Sequence, residues 1–265
     1  MFGLRKQSDT VLEQTHTMLS GVQDTVDCKS QLDKLCSDIA DAFNLYDSRS
    51  RPRKAFILNT LMKYSCVGCI ARVFKQPYQW NEVDAIYREN HRLAVNLLSE
   101  YLQNRLNAKG FKVLVQDEVE GDYGRVDVLI TPISCGMLVK FRGTEIIIEV
   151  KTGKSLSYDQ IFKYLLERPD ATMIVWRIKM RQIFKIDQER MCQILPVYVK
   201  AIINRGSRLL SEEKRVLCSH NPVKVDPYII TTPQEVIGDF LSALTETLPD
   251  VIEAVLEVLK SLTPI

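Results

Sequence analysis

Two carboxylates and a lysine lie on neighbouring segments of this sequence that have the pattern of buried strands. Asp127 follows Gly-Arg-Val, and Glu149-Val-Lys151 follows three consecutive isoleucines. Side chains two residues apart on a strand point to the same face, so Glu149 and Lys151 share one. A carboxylate and an amine on a buried strand are costly unless they pair with each other or with a metal ion.

If residues 125–130 form the neighbouring strand, Asp127 brings a second carboxylate to the same place. Two adjacent carboxylates repel each other, and a divalent cation relieves that repulsion. Oxygen ligands favour Mg²⁺ or Mn²⁺, which keep several waters and bridge to phosphate oxygens. A water activated by such a cation beside Lys151 could attack phosphorus while the cation neutralises the growing charge. These residue types therefore predict hydrolysis of phosphodiesters.

The elements that must position these residues follow from the hydrophobic periodicity. Residues 84–107 predict one long helix with His91 on its apolar face. A second helix is predicted over 157–168. Strands are predicted over 111–115, 125–130, 145–151 and 173–178, with an edge strand over 183–186. This order predicts an α/β fold with a mixed β-sheet flanked by helices.

Helical patterns also occupy both ends of the chain. We expect a helical N-terminal region over 1–75, a core over 76–186 and a helical C-terminal region over 187–265. The tail 236–262 predicts an amphipathic helix pair, docked on the body or on another subunit. Residues 47–54 contain a proline and four basic residues, which indicates a loop. That loop is either a solvated turn, the reading we favour, or a phosphate contact.

Composition narrows the class of protein. The 265 residues are 46% hydrophobic and 26% charged, which is typical of a globular chain. The net charge of +2 means that affinity for nucleic acid must come from local clusters of basic residues. No apolar stretch approaches the roughly 20 residues of a membrane span, and we expect a soluble, intracellular, cytoplasmic protein with no membrane partner. Seven cysteines disfavour a secreted disulfide framework.

The motifs around Asp127, Glu149-Val-Lys151 and Gln160-x-x-x-Tyr164 resemble those of the PD-(D/E)xK nuclease superfamily. The match is to its RecB-like branch, which includes CRISPR-adaptation nucleases and archaeal viral relatives. It covers about residues 66–186. The resemblance implies a restriction-endonuclease-like fold and a metal-dependent deoxyribonuclease in which Lys151 assists the attacking water.

The resemblance also implies roles for single residues. It implies metal ligation by His91, Asp127, Glu149 and the main-chain carbonyl of Val150, with Glu89 and Glu100 as substitutes for His91. The small residue usual four positions before the histidine is here Tyr87, which departs from the family pattern. The implied catalytic set is Asp127, Glu149, Lys151, Gln160 and Tyr164, and Gln160 and Tyr164 are also the implied contacts to nucleic acid. Lys154 and Lys163 are nearby candidates for contacts to the nucleic-acid backbone.

Each residue also has a structural interpretation. His91 and Tyr164 could be core residues, Asp127 a strand-end residue, and Glu149 with Lys151 an ion pair between strands. Ser157 and Gln160 fit a capping box, in which the glutamine only satisfies the first turn of its helix. Lys154 and Lys163 could be solvated.

The cysteine spacing leaves three outcomes open. Cys66-Val-Gly-Cys69 has the spacing of metal ligands. An iron–sulfur cluster or a zinc site could combine Cys66 and Cys69 with Cys192 and Cys218, or with Cys28 and Cys36. Buried apolar thiols are the most favoured single outcome, and Cys135 is expected to be unrelated.

Two functions remain at the level of sequence. The first is a Mg²⁺- or Mn²⁺-dependent nuclease acting on single- or double-stranded DNA. The second is a catalytically inactive nuclease-like scaffold that binds nucleic acid or assembles through its terminal helices, as a homo-oligomer or with a protein partner. Strand polarity and the choice between endonuclease and exonuclease depend on the shape of the channel.

Overall fold

The computed structural model describes residues 27–75, 82–133, 145–153, 158–212 and 233–262. In chain order the elements are helices α1 (27–43), α2 (Lys54–Lys63), α3 (Val67–Lys75) and α4 (Glu82–Ala108), strands β1 (Val113–Glu120), β2 (Arg125–Pro132) and β3 (Ile146–Lys151), helix α5 (Tyr158–Glu167), strand β4 (Thr172–Arg177), a 3₁₀ turn (Ile178–Met180), strand β5 (Gln182–Lys185), and helices α6 (Gln188–Glu212) and α7 (Pro233–Leu262).

The described residues group into two compact units. The first takes its residues from 1–75, 165–169 and 189–220, and the second from 76–164, 170–188 and 221–265. Nearly all of α6 belongs to the first unit and α7 to the second. The predicted three-region division stays a prediction.

The first unit is helical, and its described helices bury apolar side chains along one stripe each. Leu32 and Ile39 of α1, Leu58 and Leu61 of α2 and Ile202 of α6 are almost fully buried. Gly206 of α6 lies so close to Leu35 that an added Cβ would meet that side chain at 2.7 Å. The guanidinium of Arg205 contacts the carbonyl of Leu61 in the last turn of α2 and so helps to cap that helix.

The second unit is built on a five-stranded mixed sheet, which confirms the predicted α/β class. The strands lie in the order β1-β2-β3-β4-β5, and only β3 and β4 run parallel. A parallel pair needs a crossover connection, and the segment between β3 and β4 contains α5. The three isoleucines at the start of β3 are fully buried.

One face of the sheet packs against α4 and α7. Val128, Ile148 and Trp176 of the sheet share a buried cluster with side chains of both helices, such as Leu98 and Val255. The side chains of a strand alternate between faces, so Glu149 and Lys151, on either side of the buried Val150, point away from this cluster.

The indole of Trp176 keeps a hydrogen bond inside this cluster. Its N–H donates to the hydroxyl of Thr247 over 2.8 Å, and that hydroxyl donates to the carbonyl of Ala243 over 2.7 Å. Both polar groups are therefore satisfied where they are buried.

The prediction of a helix pair at the C terminus was wrong. Residues 233–262 form the single helix α7, with Pro249 inside it. A proline in a helix removes one hydrogen bond and clashes with the preceding turn. Apolar residues before and after Pro249, such as Leu244 and Val251, are buried in the same cluster, and that burial offsets the cost.

Strand β1 also differs from its prediction, since it begins at Val113 and continues to Glu120. It is an edge strand, and the side-chain amide of Gln103 on α4 occupies part of its outer edge. The amide donates to the carbonyl of Val113 and accepts from the N–H of Val115, each over 3.1 Å. In this way one side chain makes the hydrogen bonds that a neighbouring strand would make.

None of the helices in the described ranges is long and apolar enough to cross a membrane.

Candidate metal and phosphate site

The site lies where strands β2 and β3 separate. Ile130 pairs with Ile146, and the register continues to Val128 and Ile148, where the pairing ends. One further step would place Asp127 opposite Glu149. Instead of a ladder bond, the Oδ2 atom of Asp127 accepts the N–H of Val150 over 2.7 Å. The Asp127 carboxylate therefore holds β3 at the point where the ladder stops.

The ladder on the other side of β2 is interrupted at the same residue. Asp117 pairs with Val128 and Val119 pairs with Val126, but Glu118 between them is not paired with Asp127 in these fully described strands. Glu118 has a φ of 49°, a left-handed conformation that is costly for a residue other than glycine. Asp127 thus sits at a break in both neighbouring ladders.

His91 reaches Asp127 from helix α4. Its Nε2 atom lies 3.2 Å from Oδ1 of Asp127, and the His91 side chain is 26% exposed. Burial of His91 lowers its pKa, but the hydrogen bond to Asp127 and the charges of Asp127 and Glu149 outweigh burial and raise the pKa above 6.5. The imidazole is therefore biased toward its charged form beside two carboxylates.

Glu149 is buried and contacts both Tyr164 and Lys151. The Tyr164 hydroxyl contacts its Oε2 atom and lies 3.1 Å from the carbonyl of Arg125, so its one proton is shared between two acceptors. Lys151 forms an ion pair with Oε1, the second oxygen of this buried carboxylate. Burial and the charge of Asp127 raise the pKa of Glu149 to about 7, against the lowering effect of Lys151 and Tyr164.

Lys151 is held between β3 and helix α5. Its ammonium donates to Oε1 of Gln160 and pairs with Glu149. Gln160 and Tyr164 are four residues apart on α5, so they face the site from adjacent turns. Ser157, the other member of the predicted capping box, lies outside the described residues.

The structure thus brings six of the predicted site residues into one connected network: His91, Asp127, Glu149, Lys151, Gln160 and Tyr164. Glu89 is exposed and pairs with Arg92, and Glu100 is exposed, so neither takes part. Lys154 lies outside the described residues.

Lys163 was predicted as a candidate contact to the nucleic-acid backbone, with a solvated lysine as the alternative. Only 3% of it is exposed, and its ammonium lies 3.6 Å from the point where a Cβ on Gly124 would stand. This burial contradicts the solvated alternative. The contact to nucleic acid stays a prediction.

Two residues beside the site, Arg125 and Glu118, were not predicted from the sequence. The carbonyl of Arg125 accepts from Tyr164, and the guanidinium of Arg125 forms a two-pronged ion pair with Glu118 at 3.0 and 3.1 Å. Arg125 belongs to the Gly-Arg-Val-Asp127 motif, so the motif could have identified it as a site residue. The left-handed conformation of Glu118 had no signal, because nothing about a glutamate predicts a positive φ.

The donor set fits a hard divalent cation, although no three His, Cys, Asp or Glu side chains of the described ranges surround a common point. Two carboxylates, an imidazole and a nearby main-chain carbonyl are the ligand types that Mg²⁺ or Mn²⁺ accepts. The burial of both carboxylates, with the charge of Asp127 acting on Glu149, is the observation that favours a cation. The contacts to His91 and Lys151 occupy the carboxylates in this conformation.

The predicted cysteine sites do not form among the described residues. Cys28, Cys36 and Cys69 are buried and Cys66 and Cys192 are half-buried, and no group of three or more ligand-type side chains in the described ranges could hold a metal ion. The set of Cys28, Cys36, Cys66 and Cys69 is therefore not supported. Cys135 and Cys218 lie outside the described residues, so the set that includes Cys218 stays a prediction.

Comparisons of the chain with protein-family models, with curated proteins and with solved structures gave no match. The resemblance to PD-(D/E)xK nucleases therefore stays a prediction from the motifs.

Proposed function

We propose that this protein is a metal-dependent nuclease that hydrolyses phosphodiester bonds of DNA, on a restriction-endonuclease-like core. One observation carries the proposal. Asp127 and Glu149, two buried carboxylates on adjacent strands, lie where the pairing of the strands ends, with Lys151 in contact with Glu149. A purely structural ion pair would not need a second buried carboxylate, which adds repulsion.

The roles of the side chains follow from their contacts. Asp127, Glu149, His91 and the carbonyl of Val150 would hold the cation. A divalent cation supplies neutralisation of negative charge on the phosphate and polarisation of a water. Lys151 is placed to orient the attacking water and to stabilise the charge that develops on the phosphate oxygens.

Helix α5 keeps this arrangement in place. Gln160 holds the ammonium of Lys151, and Tyr164 holds Glu149. A lysine whose ammonium is fixed by two partners loses less freedom when substrate binds than a lysine in solvent. In the reaction, water adds to phosphorus and the bond to the leaving oxygen breaks, so the products are a phosphate monoester and a hydroxyl.

The test is cleavage of labelled single-stranded and duplex DNA with Mg²⁺ or Mn²⁺. We expect Asp127→Asn, Glu149→Gln and Lys151→Met each to reduce the rate by at least about 100-fold, while Glu89→Gln keeps the wild-type rate because its carboxylate is exposed and away from the site. Full activity of Lys151→Met would reject the proposed role of the lysine. Circular dichroism spectra verify that the variants are folded.

A scaffold without catalysis is the second candidate. It is favoured by the closed network of the site, in which the contacts of His91 and Lys151 already neutralise the carboxylates without a cation. A titration with Mn²⁺ separates the two functions. Binding that is lost in both Asp127→Asn and Glu149→Gln supports the nuclease, and the absence of binding in the wild type supports the scaffold.

A further inference from the structure

The first unit carries a basic turn that the proposed site does not use. Residues 45–53 connect α1 to α2, and Arg49, Arg51 and Arg53 occupy alternate positions in this connection. All three are exposed. We refer to these three arginines as the basic turn.

The backbone of this connection is held in a fixed shape. The N–H groups of Asp47 and Arg53 donate to the carbonyls of Arg51 and Leu45 over 2.9 and 3.0 Å, and Tyr46 pairs with Pro52 as an isolated bridge. Both Oδ1 contacts of Asp47 go to main-chain N–H groups, those of Arg49 and Arg51, over 2.8 and 2.9 Å. These bonds lower the pKa of Asp47, so the carboxylate stays charged and keeps the turn closed.

The basic turn carries more positive charge than the acidic residues of the connection can neutralise. Asp47 is the one acidic residue between 45 and 53, and its second oxygen contacts Nε of Arg51 over 3.2 Å, with the Arg51 side chain 62% exposed. Arg53 lies over the ring of Phe56, with 4.9 Å from its Cζ atom to the ring centre. The Arg49 side chain has no ion-pair partner in the part of the chain that the structure describes.

Three exposed arginines at alternate positions concentrate positive charge on one short connection. A ligand that offers a row of negative charges is complementary to such a surface. Arginine binds phosphate with two parallel hydrogen bonds, which lysine cannot do. A single small anion would satisfy one guanidinium, whereas the backbone of a polynucleotide presents a charge at each step.

We propose that the basic turn of Arg49, Arg51 and Arg53 binds the phosphate backbone of DNA, as a contact surface separate from the Asp127 site. This inference concerns affinity alone and does not depend on cleavage. It therefore holds or fails independently of the proposed nuclease activity.

The test measures binding of fluorescein-labelled duplex DNA by anisotropy, in EDTA, to the full-length Asp127→Asn chain, over about 50 to 200 mM salt. Three substitutions, Arg49→Gln, Arg51→Gln and Arg53→Gln, are combined in one variant. We expect a loss of affinity of about 10-fold or more and a salt slope that is smaller by about 2 to 3, since each phosphate contact contributes about 0.9.

The matched control removes three positive charges from exposed positions elsewhere in the same unit, with Lys34→Gln, Lys75→Gln and Lys200→Gln. If this lysine variant loses as much affinity as the arginine variant, the proposal is overturned, because the loss then follows from net charge and not from the position of the arginines. Arg49→Gln alone, which disturbs no side-chain contact of the described residues, is expected to weaken binding about 3-fold and to remain fully folded.

A second arm separates DNA from a lipid surface. Flotation with vesicles of phosphatidylcholine and phosphatidylserine is expected to leave the protein unbound. Vesicle binding that depends on the three arginines, without an effect of the arginines on DNA affinity, would assign the basic turn to a membrane and overturn the proposal.

Discussion

Asp127 and Glu149 stand opposite each other one register step beyond the last pair of β2 and β3, where Val150 donates to the Asp127 carboxylate instead of to a strand. The two carboxylates are 6% and 2% exposed. A break in a ladder exposes main-chain groups that a sheet would otherwise satisfy, and here a side chain takes one of them. The two carboxylates therefore lie at the point where β2 and β3 stop pairing.

We expect Mn²⁺ to stabilise the folded protein through this pair of carboxylates. At a metal concentration of about 100 times Kd, the free energy of unfolding should rise by about 2.7 kcal/mol. Asp127→Asn and Glu149→Gln should abolish the rise, because each removes an anionic ligand. Differential scanning fluorimetry with and without Mn²⁺ measures it, with Glu89→Gln as the control, and an undiminished rise in Asp127→Asn would contradict the assignment.

Glu149 should make the metal-free protein less stable as the pH rises. Its folded-state pKa of about 7 lies above its usual value of 4.5, so the folded state holds its proton over a range in which the unfolded chain has released it. Stability associated with this group is present below pH 4.5 and is lost as the pH rises to 7.

Glu149→Gln should therefore stabilise the metal-free protein by about 1 to 3 kcal/mol at pH 8 and by much less at pH 5. Urea denaturation in EDTA at the two pH values measures the difference. Glu100→Gln is the matched control, since that carboxylate is exposed. Equal stabilisation at both pH values would show that Glu149 does not carry the raised pKa.

Tyr164→Phe should destabilise the second unit by about 1 to 2 kcal/mol. The substitution removes the hydroxyl that contacts both Glu149 and the carbonyl of Arg125, and it leaves the buried ring in place. Tyr158→Phe is the control on the same helix, because Tyr158 is 51% exposed. Urea denaturation of both variants is the measurement, and the same midpoint in both would mean that the Tyr164 hydroxyl contributes nothing.

Arg205→Met should destabilise the first unit by about 1 to 3 kcal/mol. Arg205 donates to the carbonyls of Leu61 and Met62 at the end of α2, where unpaired carbonyls and the negative end of the helix dipole favour a cation. Arg208→Met, at an exposed position of the same helix, is the comparison. Hydrogen exchange of α2 amides identifies the region, and unchanged protection there would contradict the capping role.

Much of the site could be predicted because its residues follow strand and helix periodicity. Glu149 and Lys151 share a face by alternation, and Gln160 and Tyr164 share one by helical spacing, so their relation depends on local geometry alone. The partner of Asp127 depends on register between strands that lie about twenty residues apart. The buried strands could be predicted from their β-branched residues, whereas register could be proposed only through the motifs.

The parts that escaped prediction depend on tertiary contacts. Strand β1 extends through an acidic segment ending at Glu120, because an edge strand pairs on one side and can keep charged residues in solvent. The tail was expected to form two helices, but buried apolar residues on both sides of Pro249 maintain the single helix α7. The side chain of Lys163 is buried, although a lysine at this position of the sequence could equally be solvated. Each outcome depends on neighbours that are distant in the chain.

Gln103 has a consequence for the behaviour of the protein at high concentration. An uncovered sheet edge is a template on which another molecule can add a strand, and such addition can continue without limit into fibres. The amide of Gln103 occupies the carbonyl of Val113 and the N–H of Val115, so this part of the β1 edge is closed to an added strand. A single glutamine thereby contributes to colloidal stability, a property that neither the core nor the candidate site would supply.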